Sequence, residues 1–239
     1  MDLSKDYLIF DGKNSQDFGV FLFSKQTLGA PARRRETTAI PGRSGDLIRD
    51  EATFENKLIV YSAIIIRDAL TGMQDFIDFL LSRGGYARLE DTFNRDEYYM
   101  ACLSGGIEPV ATPRRDAIKA EITFERQPQR WLKIGEESKG FTSAGSLENP
   151  SWFPAKPLIR LTGNGSATVN GYGITVANNA SNYVDVDCEA QDAYKGSTNR
   201  NADITLTTNR EFPTLGVGTN NVTLSGLTSV EITPRWWRL

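Results

Sequence analysis

The chain has 239 residues, of which 39% are hydrophobic and 24% are charged. These proportions are typical of a globular protein that buries a core, in one large domain or two smaller ones. The net charge is −3, from 27 Lys and Arg residues against 30 Asp and Glu residues, which excludes the strong positive field typical of nucleic-acid and anionic-membrane binding. Without histidine, neither a Ser-His-Asp nor a Cys-His catalytic arrangement can form.

Cysteines and apolar runs exclude two further classes of protein. Two cysteines, Cys102 and Cys188, are too few for a small secreted domain held by disulfides, and we interpret both as small buried hydrophobic residues. The longest apolar run, residues 58–66, is far shorter than the roughly 20 residues of a membrane span. Residues 1–6 show no signal-peptide pattern. We therefore expect a protein made in a reducing cytoplasm, without a membrane as partner.

Residues 1–132 are predicted to form a mixed, mainly β domain with one main helix. The strand-forming stretches span residues 7–10, 18–23, 37–40, 54–66 and 118–125. The third stretch runs into Pro41-Gly42-Arg43-Ser44-Gly45, whose composition predicts a turn. In the last stretch apolar and charged residues alternate, which predicts a strand with one buried face and one wet face.

One amphipathic helix is predicted between Asp68, a suitable N-cap, and Gly84-Gly85, a natural C-terminal stop. Its apolar residues recur at three- and four-residue spacing: Leu70, Met73, Phe76, Ile77, Leu80 and Leu81. We interpret this stripe as the face that packs on the domain's own sheet. A partner-binding face is the alternative.

Residues 133–157 are predicted to be a linker, because three glycines and three prolines interrupt them and little periodicity remains. Residues 158–239 then form a second domain of short alternating strands, which is typical of a β-sandwich or jelly roll. Asn170-Gly171 predicts a hairpin between the strands at residues 167–169 and 174–176. Further strands are predicted at residues 183–187, 204–207, 221–224 and 230–233.

Asp185 and Asp187 are the best candidates for acid–base chemistry. Residues two apart on a strand face the same side, roughly 6.5–7 Å apart, and glycosidases use paired carboxylates at similar separations. Such pairs usually flank a cleft from different elements, however, and calcium binding is a further alternative. We interpret the two carboxylates as part of a solvated strand face, and we predict no catalytic, cofactor-binding or metal-binding residue and no cofactor.

Two other groups of residues have both a structural and a functional interpretation. Arg33-Arg34-Arg35 could meet an acidic partner surface, but the run has no interleaved aromatic residue, and we interpret it as a solvated loop. Trp236 and Trp237 could stack on sugar rings. Because adjacent residues on a strand face opposite ways, we expect one tryptophan in the core and the other at the surface, with packing as their role.

Several short motifs follow one another in a distinctive order. Phe10-Asp11-Gly12 and Asp17-Phe18-Gly19-Val20 come first, followed by Ile-Pro-Gly-Arg-Ser-Gly-Asp-Leu at residues 40–47. A long strand, the amphipathic helix and a closing strand near Phe124 complete the first domain. This order resembles the distal tail proteins of long-tailed, non-contractile phages, and the Pro-Gly-Arg-Ser-Gly element is its most specific part.

The second domain is similar to the galectin-like sandwich of the same family. The matching segments are residues 157–161, 170–171, 185–188, 194, 212–216 and 232–236. The resemblance implies a β-barrel-like (split-barrel), ring-forming belt domain at residues 1–132, the linker at 133–157, and a galectin-like β-sandwich at 158–239.

The resemblance also implies a function. It implies a non-enzymatic structural component of the phage tail tip or baseplate, a homohexameric ring that joins the tail tube to the tail-tip hub and the host-adsorption apparatus. Its partners would be the major tail tube protein, the hub or tail-associated protein and receptor-binding proteins, and DNA would pass through the lumen without specific binding. The protein would be made in the host cytoplasm and reside in the virion. A carbohydrate-binding adsorption module that recognises host cell-wall glycans is the alternative.

Overall fold

The computed structural model describes residues 5–26, 29–66, 69–112, 117–177 and 182–239. The chain divides into two compact units, Met1–Arg130 with Leu239, and Trp131–Arg238. The described residues are mainly β, with a single α-helix in the first unit. The predicted fold class is therefore confirmed.

The first unit contains one large antiparallel sheet, one helix and one separate hairpin. Its strands are β1 (Leu8–Phe10), β2 (Lys13–Asn14), β3 (Val20–Lys25), β4 (Arg33–Ala39), β5 (Asp46–Phe54), β6 (Lys57–Ile66), β7 (Ala87–Asp91), β8 (Glu97–Leu103), β9 (Val110–Ala111) and β10 (Ala117–Arg126). The helix α1 spans Ala69–Leu81, and a 3-10 turn spans Ser15–Phe18. The sheet runs in the order β2-β1-β7-β8-β10-β6-β3, with β9 beside β10, whereas β4 and β5 pair with each other.

The sheet buries one face against α1. In β10, Ile122 and Phe124 are buried whereas Lys119 and Glu121 are exposed, so the predicted alternation is confirmed. Phe124 also packs against Phe10, with ring centroids 5.1 Å apart. Burying alternate strand residues is what removes enough apolar surface from water to stabilise a sheet.

The helix packs as the sequence indicates, apart from its last residue. Met73, Phe76, Ile77 and Leu80 are buried in the core, which confirms the packing interpretation, but Leu81 is 61% exposed. One residue turns a helix by about 100°, so Leu81 lies off the buried side that Leu80 occupies. The predicted cap, Asp68, and the side chain of Leu70 lie outside the described residues.

A glycine allows the helix to approach the 3-10 turn closely. A Cβ atom at Gly72 would lie 2.5 Å from the main-chain oxygen of Phe18, which is closer than real Cβ contacts permit. The ring of Phe18 packs against Phe76, with centroids 5.3 Å apart. Gly72 therefore lowers local helix propensity but allows a tight contact in the core.

The second unit is built from two antiparallel sheets. Its strands, after β11 (Arg130–Leu132), are β12 (Lys139–Phe141), β13 (Gly145–Asn149), β14 (Leu158–Thr162), β15 (Gly165–Val169), β16 (Tyr172–Val176), β17 (Tyr183–Asp187), β18 (Asp192–Lys195), β19 (Thr198–Asn199), β20 (Ile204–Leu206), β21 (Gly218–Ser225), β22 (Ser229–Thr233) and β23 (Trp237–Arg238). Two 3-10 turns span Lys133–Glu136 and Asn201–Asp203. One sheet has the order β12-β22-β14-β17-β18-β19 and the other β13-β21-β15-β16-β20.

The two sheets enclose a core of mostly aliphatic residues. Burial alternates along β14, where Ile159 and Leu161 are buried on either side of the exposed Arg160, and Val184 and Val186 of β17 belong to the same core. Between β15 and β16, Asn170 has φ +49° and Gly171 has φ +84°. Two successive left-handed residues make the tight turn whose twist suits a hairpin, and the hairpin predicted from this dipeptide is confirmed.

Residues 133–157 do not form the predicted linker. β12 pairs with β22 and β13 pairs with β21, and Phe141 and Leu147 are buried in the core of the second unit. Both strands end the order of their sheets, and edge positions are where a sheet tolerates glycine and proline. The glycines and prolines that predicted a linker therefore belong to two edge strands and their turns.

Candidate assembly surface

The two carboxylates singled out from the sequence are held in ion pairs. Arg235 donates from Nη1 and Nη2 to the two oxygens of Asp187, both at 2.8 Å. Arg160 donates from Nε and Nη2 to the two oxygens of Asp185, at 2.7 and 3.0 Å. The hydrogen bonds from Arg235 hold the pKa of Asp187 below its usual range. A carboxylate stabilised in its charged form is poorly suited to donate a proton, so the geometry favours a structural role for the pair.

The two tryptophans near the end of the second unit pack rather than present a platform. Trp236 is buried in the core, and Gly135 lies so close to the main chain of Trp236 that a Cβ atom there would clash. Trp237 is half-buried, stacks on Phe153 with ring centroids 4.6 Å apart, and donates from Nε1 to the oxygen of Pro154 at 3.0 Å. The prediction of one core and one surface tryptophan, both with packing roles, is confirmed.

Neither thiol is placed for chemistry. Both cysteines are free. Burial raises the pKa of Cys188 to about 12 and also raises the pKa of Cys102, and the thiolate is the reactive form. The interpretation as a small buried hydrophobic residue is confirmed for Cys188, whereas Cys102 is only half-buried.

Two absences can be stated for the described part of the chain. No group of three or more Cys, Asp or Glu residues there is arranged to hold a metal ion. None of the helices found there has the length and apolar character needed to cross a membrane.

The first unit carries an extended hairpin in which nearly every side chain is exposed. This hairpin, Arg33–Phe54, is here called the arm. Its strands β4 and β5 have their register set by pairs such as Thr37–Ile48 and Thr38–Leu47. Among the described residues, neither strand pairs with any other. Both edges of the arm therefore present unpaired backbone groups, which can template pairing with another chain.

Every residue of β4 is exposed, and so is every residue of β5 before Phe54. Leu47 is 55% exposed and Ile48 is 58% exposed. Because neighbouring residues on a strand point to opposite faces, Leu47 and Ile48 give each face of β5 one exposed large apolar side chain. Single exposed apolar residues are common on protein surfaces, so these two side chains indicate a partner only in combination with the unpaired edges of the arm.

The base of the arm is shaped by an ion pair and a bulge. Between the pairs Arg33–Phe54 and Arg35–Asp50, β4 advances two residues while β5 advances four. Arg33 Nε donates to both oxygens of Asp50, at 2.8 and 2.7 Å, and Asp50 also accepts from the backbone of Ala52 at 2.8 Å. Arg33 holds the pKa of Asp50 below its usual range. Bulges of this kind re-aim a strand.

The arm corrects one expectation and confirms another. Arg33-Arg34-Arg35 begins strand β4 and is not a loop. The predicted turn at residues 41–45 is confirmed: the nitrogen of Arg43 donates to the oxygen of Ile40 at 3.2 Å, and Gly42 has φ +82°. Proline followed by a glycine at positive φ is typical of a type II turn. The loop interpretation did not take into account Asp50 of β5, which is the strand partner of Arg35 and forms an ion pair with Arg33.

The contribution of Leu47 and Ile48 was missed from the sequence. The available signal was their context, Asp46-Leu-Ile-Arg-Asp-Glu51, in which two apolar residues stand inside a charged stretch. On a strand, such a sequence places charged side chains on both faces and one apolar side chain on each face. It distinguishes a projecting hairpin from a sheet strand, whose apolar residues recur on one face only.

This architecture is similar to that of several solved structures. No family model matches the chain, and no curated protein matches it. Among solved structures, the Dit protein of phage SPP1, described as a paradigm of the hub adsorption apparatus in phages that infect Gram-positive bacteria, is similar with a TM-score of 0.72. The two sequences are 13% identical, and the match covers 98% of this chain and 99% of that one.

Chains of the phage P2 baseplate in its activated conformation are also similar. The structure with Ca matches at a TM-score of 0.52 and 13% identity, over 95% of this chain and 96% of that one. The structure with Sr matches at 0.52 and 12% identity, over 98% of each chain. The chain therefore has the fold of these phage hub and baseplate proteins, and the resemblance drawn from the motif order is confirmed at the level of the fold.

Proposed function

We propose that this chain is a structural component of a phage tail tip, and that copies of it assemble into a ring through the arm. The arm is the observation that carries the proposal. A two-stranded hairpin is marginally stable in water at best, and here both strands lie outside either core. Contact with a neighbouring copy supplies the missing apolar environment.

The chemistry of the arm supports an apolar anchor rather than a charge-driven one. Two pairs of its charged side chains face each other within the arm, Arg33 with Asp50 and Arg49 with Glu36. Leu47 and Ile48 remain for a partner. Complete burial of such a side chain contributes about 1.5–3 kcal/mol. Two per copy, repeated around a closed ring, favour assembly over the monomer.

Binding of the arm of one copy to the next copy supports a ring in particular. If each copy gives its arm to one neighbour and receives an arm from another, the interface is heterologous, and such interfaces close into rings when the rotation permits. Six copies are the number that the resemblance to distal tail proteins implies. A ring of this kind leaves a central passage for DNA that needs no sequence-specific contact.

The remaining parts of the proposal rest on the fold neighbours. Those neighbours belong to a phage hub adsorption apparatus and a phage baseplate. We accordingly assign this chain to the virion tail tip, made in the host cytoplasm, between the major tail tube protein and the hub or tail-associated protein, with receptor-binding proteins as further contacts. A non-enzymatic role agrees with the ion pairs that hold Asp185 and Asp187.

Native mass spectrometry and negative-stain imaging of the purified chain test the proposal. The wild-type protein should form closed rings, and the double variant Leu47→Asp with Ile48→Asp should remain monomeric with its secondary structure unchanged. Leu81→Asp, at an exposed leucine of α1, is the matched control and should still form rings. A wild-type chain that stays monomeric at high concentration, or a double variant that assembles normally, would contradict the role of the arm.

A carbohydrate-binding role is the second candidate, and Trp152 is the observation that favours it. Trp236 and Trp237, on which the sugar-binding alternative first rested, are packed. Trp152, in contrast, is 86% exposed. Its loop is held by Asn149, whose side chain donates to the oxygen of Phe153 at 2.9 Å and accepts from the nitrogen of Ser151 at 2.9 Å. A fixed, exposed indole is a suitable stacking surface for a sugar ring.

A further inference from the structure

The large sheet of the first unit has a second face, opposite the one that packs against α1. In β10, Lys119 and Glu121 alternate with the buried residues and point to this side. Directly paired residues of antiparallel strands share a face, so the register places their partners on this side as well. We call it the outer face. Its apolar members in register are Phe21, Leu58, Val60, Ile64 and Val110.

Strand β6 has the composition of a strand that is covered on both faces. From Leu58 to Ile66 it is an almost unbroken apolar run, whereas its neighbour β10 alternates apolar and charged residues. Antiparallel strands with one wet face alternate, and near-continuous apolar runs are typical of strands buried on both sides. The helix covers one side of β6, so the sequence of this strand calls for a second cover on the outer face.

The outer face is open to water. Leu58 is 51% exposed and Val110 is 65% exposed. A groove of about 570 Å³ lies beside Phe23 and Val110, and Lys119 Nζ lies 5.7 Å from the centroid of the Phe23 ring. Every residue of β4 is exposed, so the arm does not cover this face in its own subunit. A partner is therefore needed to bury it.

The charges on the two surfaces are opposite in sign. Around the groove and along β10, the described side chains of Glu108, Glu121 and Glu125 face the single cation Lys119, a net charge of −2. The arm, in contrast, has five arginines against four carboxylates, a net charge of +1. Complementary charge of this kind favours the arm of another copy as the occupant of the outer face.

The Ile48 side of the arm matches the outer face in more detail. Asp46 and Ile48 lie two residues apart on β5 and share a side, and Arg35 lies on that side too because it pairs with Asp50. Thr37, the partner of Ile48 across the arm, is small and lets the isoleucine project. This side therefore presents an acidic residue, an apolar residue and a basic residue in succession.

We propose that the outer face is the docking site for the arm of the neighbouring copy, with Ile48 in the groove beside Phe23 and Val110. The inference rests on the proposed ring assembly and names the surface that receives each arm. With Asp46 at Lys119, the basic side chain of Arg35 points toward the acidic end of β10. The apolar contact favours binding, and the opposite charges set its orientation.

Cysteine cross-linking between copies tests this site. One chain carries Thr37→Cys, next to Ile48, and the other carries Thr123→Cys, which lines the groove. Both also carry Cys102→Ser, because Cys102 pairs with Glu125 and its free thiol would compete. A short bis-maleimide should link the two chains into covalent dimers. Thr37→Cys mixed with Thr223→Cys, at an exposed threonine of β21, should give only background.

A charge placed in the groove gives an independent measurement. Val110→Asp should raise the protein concentration needed for half-maximal ring assembly by roughly tenfold or more, because Ile48 would then bury an unpaired carboxylate. Val217→Asp makes the same substitution at an exposed valine of the second unit and should assemble like the wild type. Both sites are at the surface, so the circular dichroism spectrum should not change in either variant.

The outcomes separate the docking site from ring assembly itself. Wild-type rings that give no product between positions 37 and 123, or rings that form equally well with Val110→Asp, would overturn the outer face as the docking site and leave the role of the arm intact. A wild-type chain that forms no ring by native mass spectrometry would overturn both.

Discussion

The arm and strand β14 of the second unit are both antiparallel β-structure, yet their side chains differ in exposure to solvent. In β14, Ile159 and Leu161 are buried and Arg160 between them is exposed. In β4 every side chain is exposed, and the strand contains no large apolar residue. Strand geometry is the same in both places, so backbone pairing alone does not decide where a core forms.

What differs is the source of stability. β14 is stabilised by apolar area removed from water on one face, and it would keep this stabilisation in an isolated subunit. The arm has cross-strand pairs and an ion pair at its base, each of which contributes little on an exposed surface. The comparison teaches that the second unit buries its apolar residues within one chain, whereas nearly all side chains of the arm are exposed, which is the reason for proposing that a partner covers the arm.

The largest expected effect separates the two regions directly. Leu161→Ala removes a fully buried side chain and should lower the free energy of unfolding by about 2–5 kcal/mol. Leu47→Ala removes the same atoms from the exposed arm and should change it by less than about 0.5 kcal/mol. Urea denaturation at a concentration low enough to keep the protein monomeric measures both. Equal losses would mean that the arm packs against its own subunit.

A smaller effect concerns the ion pair at the end of β17. Arg235→Gln leaves the largely buried carboxylate of Asp187 with only its backbone donors, from Glu189 and Ala190 at 3.0 Å each. We expect a loss of roughly 1–3 kcal/mol in unfolding free energy at neutral pH. The exposed arginine Arg210 provides the control, since Arg210→Gln should be nearly neutral.

The same pair gives a signed pH dependence. The pKa of Asp187 is lowered in the folded state by its hydrogen bonds with Arg235. The stabilisation is therefore fully present above the unfolded pKa of about 3.9 and is lost as the pH falls through the lower folded value. Wild-type stability should decline through this acidic window, and Arg235→Gln should decline less steeply. A steeper decline in the variant would reverse the assigned sign.

The sequence predicted those parts of the fold that depend on local patterns. The alternation in β10, the stripe on α1 and the turn at Asn170-Gly171 all report local geometry, and the structure has each of them. The linker was wrong because Gly140 and Gly145 lie on edge strands, and composition cannot distinguish a paired edge strand from a loop. That distinction depends on Glu231 and Val222, the distant residues that pair with them.

The candidate sites were less predictable for the same reason. Asp185 and Asp187 look like a carboxylate pair in the sequence, and only the fold shows that Arg160 and Arg235 neutralise them. Local patterns report which face a residue occupies, whereas charge balance depends on contacts between residues far apart in the chain.

The smallest expected effect on stability lies at Trp152, which extends the comparison to the second unit. Like Leu47, this side chain is apolar and exposed, so Trp152→Ala should change the unfolding free energy by less than about 0.5 kcal/mol. If the sugar-binding candidate is correct, wild-type protein should be retained on immobilised host cell-wall glycan, Trp152→Ala should lose retention, and Val217→Ala, at another exposed apolar site, should keep it. Absence of retention in the wild type would remove the sugar-binding candidate and leave ring assembly through the arm unaffected, because the two depend on different units of the chain.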